Sequence, residues 1–119
     1  MKRKILILFV LSVLSIFFYI FVGCTSSISI NKPPVITSIP VTTAKVGIGY
    51  SYNVLATDPN GNNLTYSLLA YPNGMIVNSS TGLIIWTPTE NQIRECEVEV
   101  EVTDGELSVT QTFTIIVSI

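Results

Sequence analysis

The sequence predicts an all-β protein: a β-sandwich of about seven short strands, preceded by an N-terminal hydrophobic signal or anchor helix. Three observations predict it. After Pro34 no stretch carries a useful helical period. Apolar and polar residues alternate there with period two, most cleanly where Glu95, Glu97, Glu99 and Glu101 interleave Cys96, Val98, Val100 and Val102. Gly, Pro and Asn turn words cut the same stretch at short intervals.

The chain opens with Lys2-Arg3-Lys4, an apolar run from Ile5 to Val22, and then Gly23-Cys24. A basic start, an apolar middle and a small residue at the end form a secretory signal. The cysteine directly after Gly23 makes it resemble a bacterial lipoprotein signal peptide over residues 1–23. That resemblance implies cleavage before Cys24 and a lipid on its thiol and new amino group. Phe21 stands where such signals usually carry an aliphatic residue. Two other readings stay open. The run reaches the lower edge of a membrane span, so it also suits an uncleaved anchor helix, with Phe17, Phe18, Tyr19 and Phe21 at the interface. A soluble secreted protein is the third reading. The first two put the rest of the chain outside the cytoplasm, on a bacterial cell membrane or outer membrane.

Residues 24–34 read as a tether: Ser26, Ser27, Ser29 and Asn31, then Lys32 and the stiff pair Pro33-Pro34. The folded domain is expected over residues 35–119. Val35–Ile39 and Thr42–Val46 are strand segments separated by Pro40, which fits an edge or a crossover. Tyr50–Thr57 follows, with Tyr50, Tyr52, Val54 and Ala56 on one face. Asp58-Pro59-Asn60-Gly61-Asn62 is a turn. Leu64–Leu69 points Leu64, Tyr66 and Leu68 inward. Pro72-Asn73-Gly74 turns the chain into Met75–Val77. The stretch Asn78–Gly82 leads to Leu83–Thr87, and Pro88–Ile93 is a longer connection. The Glu-alternating strand and the last strand are joined by a hairpin at Asp104-Gly105-Glu106. On the last strand Leu107, Val109, Phe113, Ile115 and Val117 face in, with Gln111 the odd member.

These words, in this order, resemble a known family: bacterial cadherin-like and immunoglobulin-like repeats related to the dystroglycan-type cadherin domain, the group labelled putative Ig. The resemblance covers Pro34 to Ile119. Thr81-Gly82 followed by Trp86-Thr87-Pro88 is its most specific word. It implies an immunoglobulin/cadherin-like Greek-key sandwich in an extracellular setting, and it implies no single chemistry.

In such a sandwich the Asp58–Asn62 and Asp104–Glu106 loops share one end. Asp58, Asn60, Asn62 and Asp104 are therefore the candidate metal ligands, for calcium, which takes several oxygens from flexible loops. The asparagines lower the ligand charge, and ordinary turn chemistry explains the same residues. No other cofactor is expected. The opposite end carries Gly47–Gly49, Ala70–Gly74 and Pro88–Ile93, with Tyr71 and Asn73 as candidate partner contacts.

Composition excludes more than it assigns. The chain has no histidine, which removes the commonest general base and metal ligand. All eight carboxylates lie after Cys24, against Lys32, Lys45 and Arg94. No basic patch neutralises phosphates, so nucleic acid is not an expected partner. With Cys24 acylated, Cys96 has no disulfide partner and reads as a small buried hydrophobe. Trp86 reads as core, and Asn63-Leu64-Thr65 and Asn78-Ser79-Ser80 as turn composition rather than glycosylation sites. The expected function is a non-enzymatic, membrane-anchored surface module that contacts a protein or glycan of the envelope. A purely structural envelope component or spacer is the alternative.

Overall fold

Glutamates alternating with Cys and Val cannot bury both faces of a strand, so they demand one core and one solvent face. The computed structural model, which describes residues 26–119, meets that demand. Strand β8 (Glu95–Thr103) buries Val98, Val100 and Val102 completely, each 0% exposed. The hairpin to β9 (Ser108–Ser118) pairs Thr103 with Ser108 through to Glu95 with Ile116. The glutamate stripe thus lies opposite Thr110, Thr112, Thr114 and Ile116. No lysine stands opposite it on β9.

On its other side β8 pairs with β5 (Thr65–Ala70). On its far side β9 pairs, in parallel, with β2 (Thr43–Lys45). The order β2-β9-β8-β5 is one layer of the sandwich. The second layer is β3 (Tyr50–Asn53), β7 (Leu83–Trp86) and β6 (Ile76–Val77), in the order β3-β7-β6. A two-stranded ladder of β1 (Val35–Ile36) and β4 (Ala56–Thr57) completes it. Nine segments therefore stand where about seven strands are expected. The expected strand Tyr50–Thr57 divides because Val54 N–H donates to Gly82 O and Leu55 N–H to Ser38 Oγ, instead of to a regular ladder. The N-terminal strand divides at Pro40, between a segment on the β4 ladder and one on β9, as a crossover proline requires.

The crossover explains the odd glutamine. Tyr52 Oη donates to Gln111 Oε1 at 2.9 Å, and Gln111 Nε2 donates to Ser38 O at 3.1 Å. Ser38 Oγ lies 2.6 Å from Tyr52 Oη. Buried Tyr52 and half-buried Ser38 and Gln111 satisfy one another, which removes the cost of placing a glutamine on an inward face.

The core lies between the layers. Ile84, Ile115 and Val54 are 0% exposed. Tyr52 meets Phe113 edge-on across the layers, with ring centroids 5.6 Å apart. Trp86 is 3% exposed and meets Tyr50 edge-on. Gly82 is where the family's most specific word becomes physical. Its φ is +75°, and a Cβ there would stand 2.6 Å from Val54 O and 2.9 Å from the Tyr66 ring. Only glycine fits.

Two expectations are corrected. Leu107 is 39% exposed, not inward, because it belongs to the turn: its N–H donates to Asp104 Oδ1 and its carbonyl accepts from Asp104 N–H. Cys96 is half-buried rather than buried, with its thiol 3.7 Å from Gln92 O. Pro88–Ile93 holds one 3-10 turn, Glu90–Gln92. Residues Asn31–Ile119 form one compact unit. The signal and anchor readings, and Cys24, fall outside the described residues. Among the described residues no helix is long and apolar enough to cross a membrane.

Candidate functional site

Each end of the sandwich carries a cluster that the sequence singles out. At the end where the chain enters, the Asp58 turn is held by Asp58 Oδ1, which accepts from Asn60 N–H at 2.9 Å and Asn62 N–H at 3.0 Å. The Asp104 turn repeats the device: Oδ1 accepts from Glu106 N–H and Leu107 N–H, both at 2.8 Å. Aspartate favours such turns because its side chain satisfies backbone donors that the turn leaves over. The N–H groups of Leu107 and Glu106, with the Asn31 amide, hold the Asp104 carboxyl below its ordinary range.

The structure brings the two turns together through a residue the sequence reading left in the tether. Asn31 Nδ2 donates to Asp104 Oδ2 at 3.0 Å and to Glu106 Oε2 at 3.3 Å. Asn31 Oδ1 accepts from Asn62 Nδ2 at 3.1 Å. Lys32 N–H donates to Asn60 Oδ1 at 2.9 Å. The candidate ligands Asp58, Asn60, Asn62 and Asp104 thus do share one end, and most of their oxygens already accept hydrogen bonds. Asp58 Oδ2 is buried with no hydrogen-bond partner. Among the described residues no group of three or more His, Cys, Asp or Glu that could hold a metal ion is gathered. A calcium ion needs six to eight oxygens, and it would have to displace the Asn31 amide from between Asp104 and Glu106.

At the opposite end the expected loops also meet. Gly47 N–H donates to Pro88 O at 2.9 Å, and Gln92 Nε2 to Asn73 O at 2.9 Å. Trp86 Nε1 donates to the same Asn73 carbonyl at 3.2 Å. Gln92 Oε1 accepts from Thr89 N–H at 3.0 Å. Gln92 is thereby fixed as a clamp between the Pro72–Gly74 turn and the 3-10 turn. Above this clamp runs a groove of about 640 Å³. Tyr71, 53% exposed, lies on its lining. Asn73, Asn91, Arg94, Glu95 and Glu97 also line it, and all five are exposed.

Of these lining residues the sequence names Tyr71 and Asn73 individually as candidates, includes Asn91 and Gln92 only within Pro88–Ile93, and leaves Arg94 out. The word Thr89-Glu90-Asn91-Gln92 carries a signal for Gln92, since Thr followed three residues later by Gln marks the start of a helical turn. Nothing in the local sequence marks Arg94. The two ends stand well apart, because β8 begins at the groove with Glu95 and runs to Thr103 beside the Asp104 turn. At about 3.3 Å per residue that is roughly 26 Å.

A family model described as Putative Ig domain matches residues 33–118. Integrin beta-like protein A of Dictyostelium discoideum is 30% identical over 80 residues, 63% of this chain and 4% of that protein. Among solved structures, an endo-fucoidan hydrolase of glycoside hydrolase family 107 superposes with a TM-score of 0.63 at 23% identity, over 72% of this chain and 14% of that one. Human protocadherin-24 EC1-2 superposes at 0.57 and 21% identity, over 75% and 44%. Titin domain M7 does so at 0.53 and 15% identity, over 76% and 99%. These structural likenesses carry the fold: an immunoglobulin/cadherin-like sandwich.

Proposed function

This chain belongs to the Putative Ig domain family, and we propose that it is a non-enzymatic, extracytoplasmic module, held to a bacterial membrane by a lipid on Cys24. Its contact surface for an envelope partner is the Tyr71 groove. One observation carries the reading: the groove lies at the end of the sandwich remote from Asn31, where the chain enters. With a lipid on Cys24, the Asp104 end is the end nearer the anchor along the chain, and Tyr71 and Asn73 lie at the other end of the sandwich.

The module needs no cofactor. Asn31 joins the Asp58 and Asp104 turns by hydrogen bonds, the task a cation would otherwise perform. Asp58, Asn60, Asn62 and Asp104 then act as turn residues. Catalysis has no basis in the inventory, since the chain lacks histidine and the groove residues form no nucleophile–base pair of the kind acyl or phosphoryl transfer requires. The structural alternative, a spacer, has one observation in its favour. The chain spans 4% of the curated relative it matches and 14% of the fucoidan hydrolase, so this fold occurs as a small part of long proteins.

Three measurements test the reading. The protein from its own membrane fraction has the mass of a chain beginning at Cys24 and carrying two or three acyl groups; an unmodified full-length mass overturns the lipid. Binding to envelope extract is lost on Tyr71→Ala and Asn73→Ala and kept on Asp58→Asn; equal loss from all three, or no binding, favours the spacer. Millimolar calcium leaves the melting temperature unchanged; a clear rise restores a metal role for the Asp58–Asp104 end.

A further inference from the structure

We infer that the Tyr71 groove is a saccharide-binding site, selective for neutral or amino sugars over acidic ones. The inference rests on the groove being the contact surface proposed above, and it names the class of ligand. Tyr50, Tyr52 and Tyr66 are 5%, 4% and 8% exposed and Trp86 is 3% exposed, whereas Tyr71 is 53% exposed. Pro72, half-buried beside it, restricts the backbone that carries the ring. A phenol in this position offers an apolar face and a polar tip, which suits a ring that presents C–H groups on one face and hydroxyls at its edge.

The rest of the lining is planar and polar. Asn73 and Asn91 present amides that both donate and accept, Glu95 and Glu97 accept, and Arg94 donates through a fork. Sugar hydroxyls both donate and accept, so this mixture can engage them in either sense. The clamp made by Gln92 on Asn73 O and Thr89 N–H holds the loops that carry these groups, and a preorganised site loses less on binding.

The lining contains no Leu, Ile, Val, Phe, Met or Trp, so beyond Tyr71 and Arg94 it offers a protein partner no aliphatic or indole anchor. Glu95 and Glu97 against the single Arg94 give the groove a negative balance. That balance repels phosphates, uronic acids and sulfated sugars, and it favours neutral rings or rings bearing an ammonium group.

The test uses the full chain in detergent micelles, titrated by calorimetry and saturation-transfer NMR. The probes are cellotetraose, a chitosan tetramer and tetragalacturonate. The neutral and amino tetramers bind with magnetisation transferred from the Tyr71 ring, and tetragalacturonate binds at least about tenfold more weakly. Tyr71→Ala weakens binding by about tenfold or more with the melting temperature unchanged, and Tyr71→Trp retains it. Tightest binding of the acidic tetramer, or binding untouched by Tyr71→Ala, overturns the inference. If no saccharide binds but Tyr71→Ala still abolishes capture of an envelope protein, the saccharide inference falls and the contact surface stands. If Tyr71→Ala changes neither, both fall.

Discussion

At the end of the sandwich where the chain enters, Asp58 and Asp104 direct their carboxylates onto backbone N–H groups, and Asn31 joins the two turns. At the other end Tyr71, Asn91, Arg94, Glu95 and Glu97 stay exposed around a clamp made by Gln92. Both ends are loop-rich and polar, and composition alone does not separate them. The difference lies in where the hydrogen-bonding capacity goes. Polar groups that satisfy their own turns stabilise the fold. Polar groups held apart on a fixed support remain available to a ligand.

The most damaging way to break the comparison removes the frame that both ends share. Gly82→Ala forces a side chain against Val54 O and the Tyr66 ring at a positive φ. It should cost about 3 kcal/mol, read as a fall in the denaturant midpoint, and it should loosen both ends together. Retention of wild-type stability would show that the strand after Gly82 can shift freely.

Alkali should act next, from the groove side. Tyr50 begins β3 beside the Gly47–Gly49 turn, and burial, with Tyr52 nearby, raises the pKa of its hydroxyl strongly. Its folded-state value lies above the unfolded one. Its contribution is therefore complete below about pH 10 and is lost as pH rises further. Thermal unfolding followed above that pH should show the loss, and Tyr50→Phe should flatten it.

Asn31→Ala sharpens the contrast at the entry end. It removes donors to Asp104 and Glu106 and the acceptor for Asn62. A loss of about 1 kcal/mol is expected, with hydrogen exchange quickened in the Asp58 and Asp104 turns and unchanged around Gln92. Exchange altered at both ends would mean that the ends are coupled.

Acid should act more gently, and at that same end. The Asp104 carboxyl titrates below its ordinary range because Leu107 N–H, Glu106 N–H and the Asn31 amide stabilise its charge. Its contribution is present above an unfolded value of about 4 and is lost as pH falls through the lower folded value. A carboxyl NMR titration should show Asp104 protonating below the ordinary aspartate range, and Asn31→Ala should move that titration upward.

The smallest effects belong to the groove. Asn91→Ala and Glu97→Gln should change stability by no more than about 0.5 kcal/mol, because both side chains are exposed. A larger loss in chemical denaturation would make the groove a structural element instead of a contact surface.

Much of this was legible beforehand. The faces of Tyr50–Val54 and of Cys96–Val102 were readable, because a strand's side chains alternate and the alternation is local. The turns at Asp58 and Asp104 were readable, because Asp, Asn, Pro and Gly act on their own backbone. Leu107 misled, since it stands in register with the inward positions but takes part in the turn. Gln111 was readable only as an anomaly. Its partners Ser38 and Tyr52 lie far away in sequence.

The sequence by itself determined most of the strands, most of their buried faces and the turns at Asp58 and Asp104, because periodicity and turn chemistry are properties of a few consecutive residues. Only the tertiary structure decided that Asn31 closes the Asp58 and Asp104 turns, and that Gln92, Arg94 and Tyr71 share one groove. Residues 31 and 104 are 73 apart in sequence, and no local pattern specifies which distant partner a side chain will meet. Layer packing makes that choice: burying the β8 and β3 faces against each other fixes both ends of the sandwich, and the hydrogen bonds at each end follow from where the loops are then held.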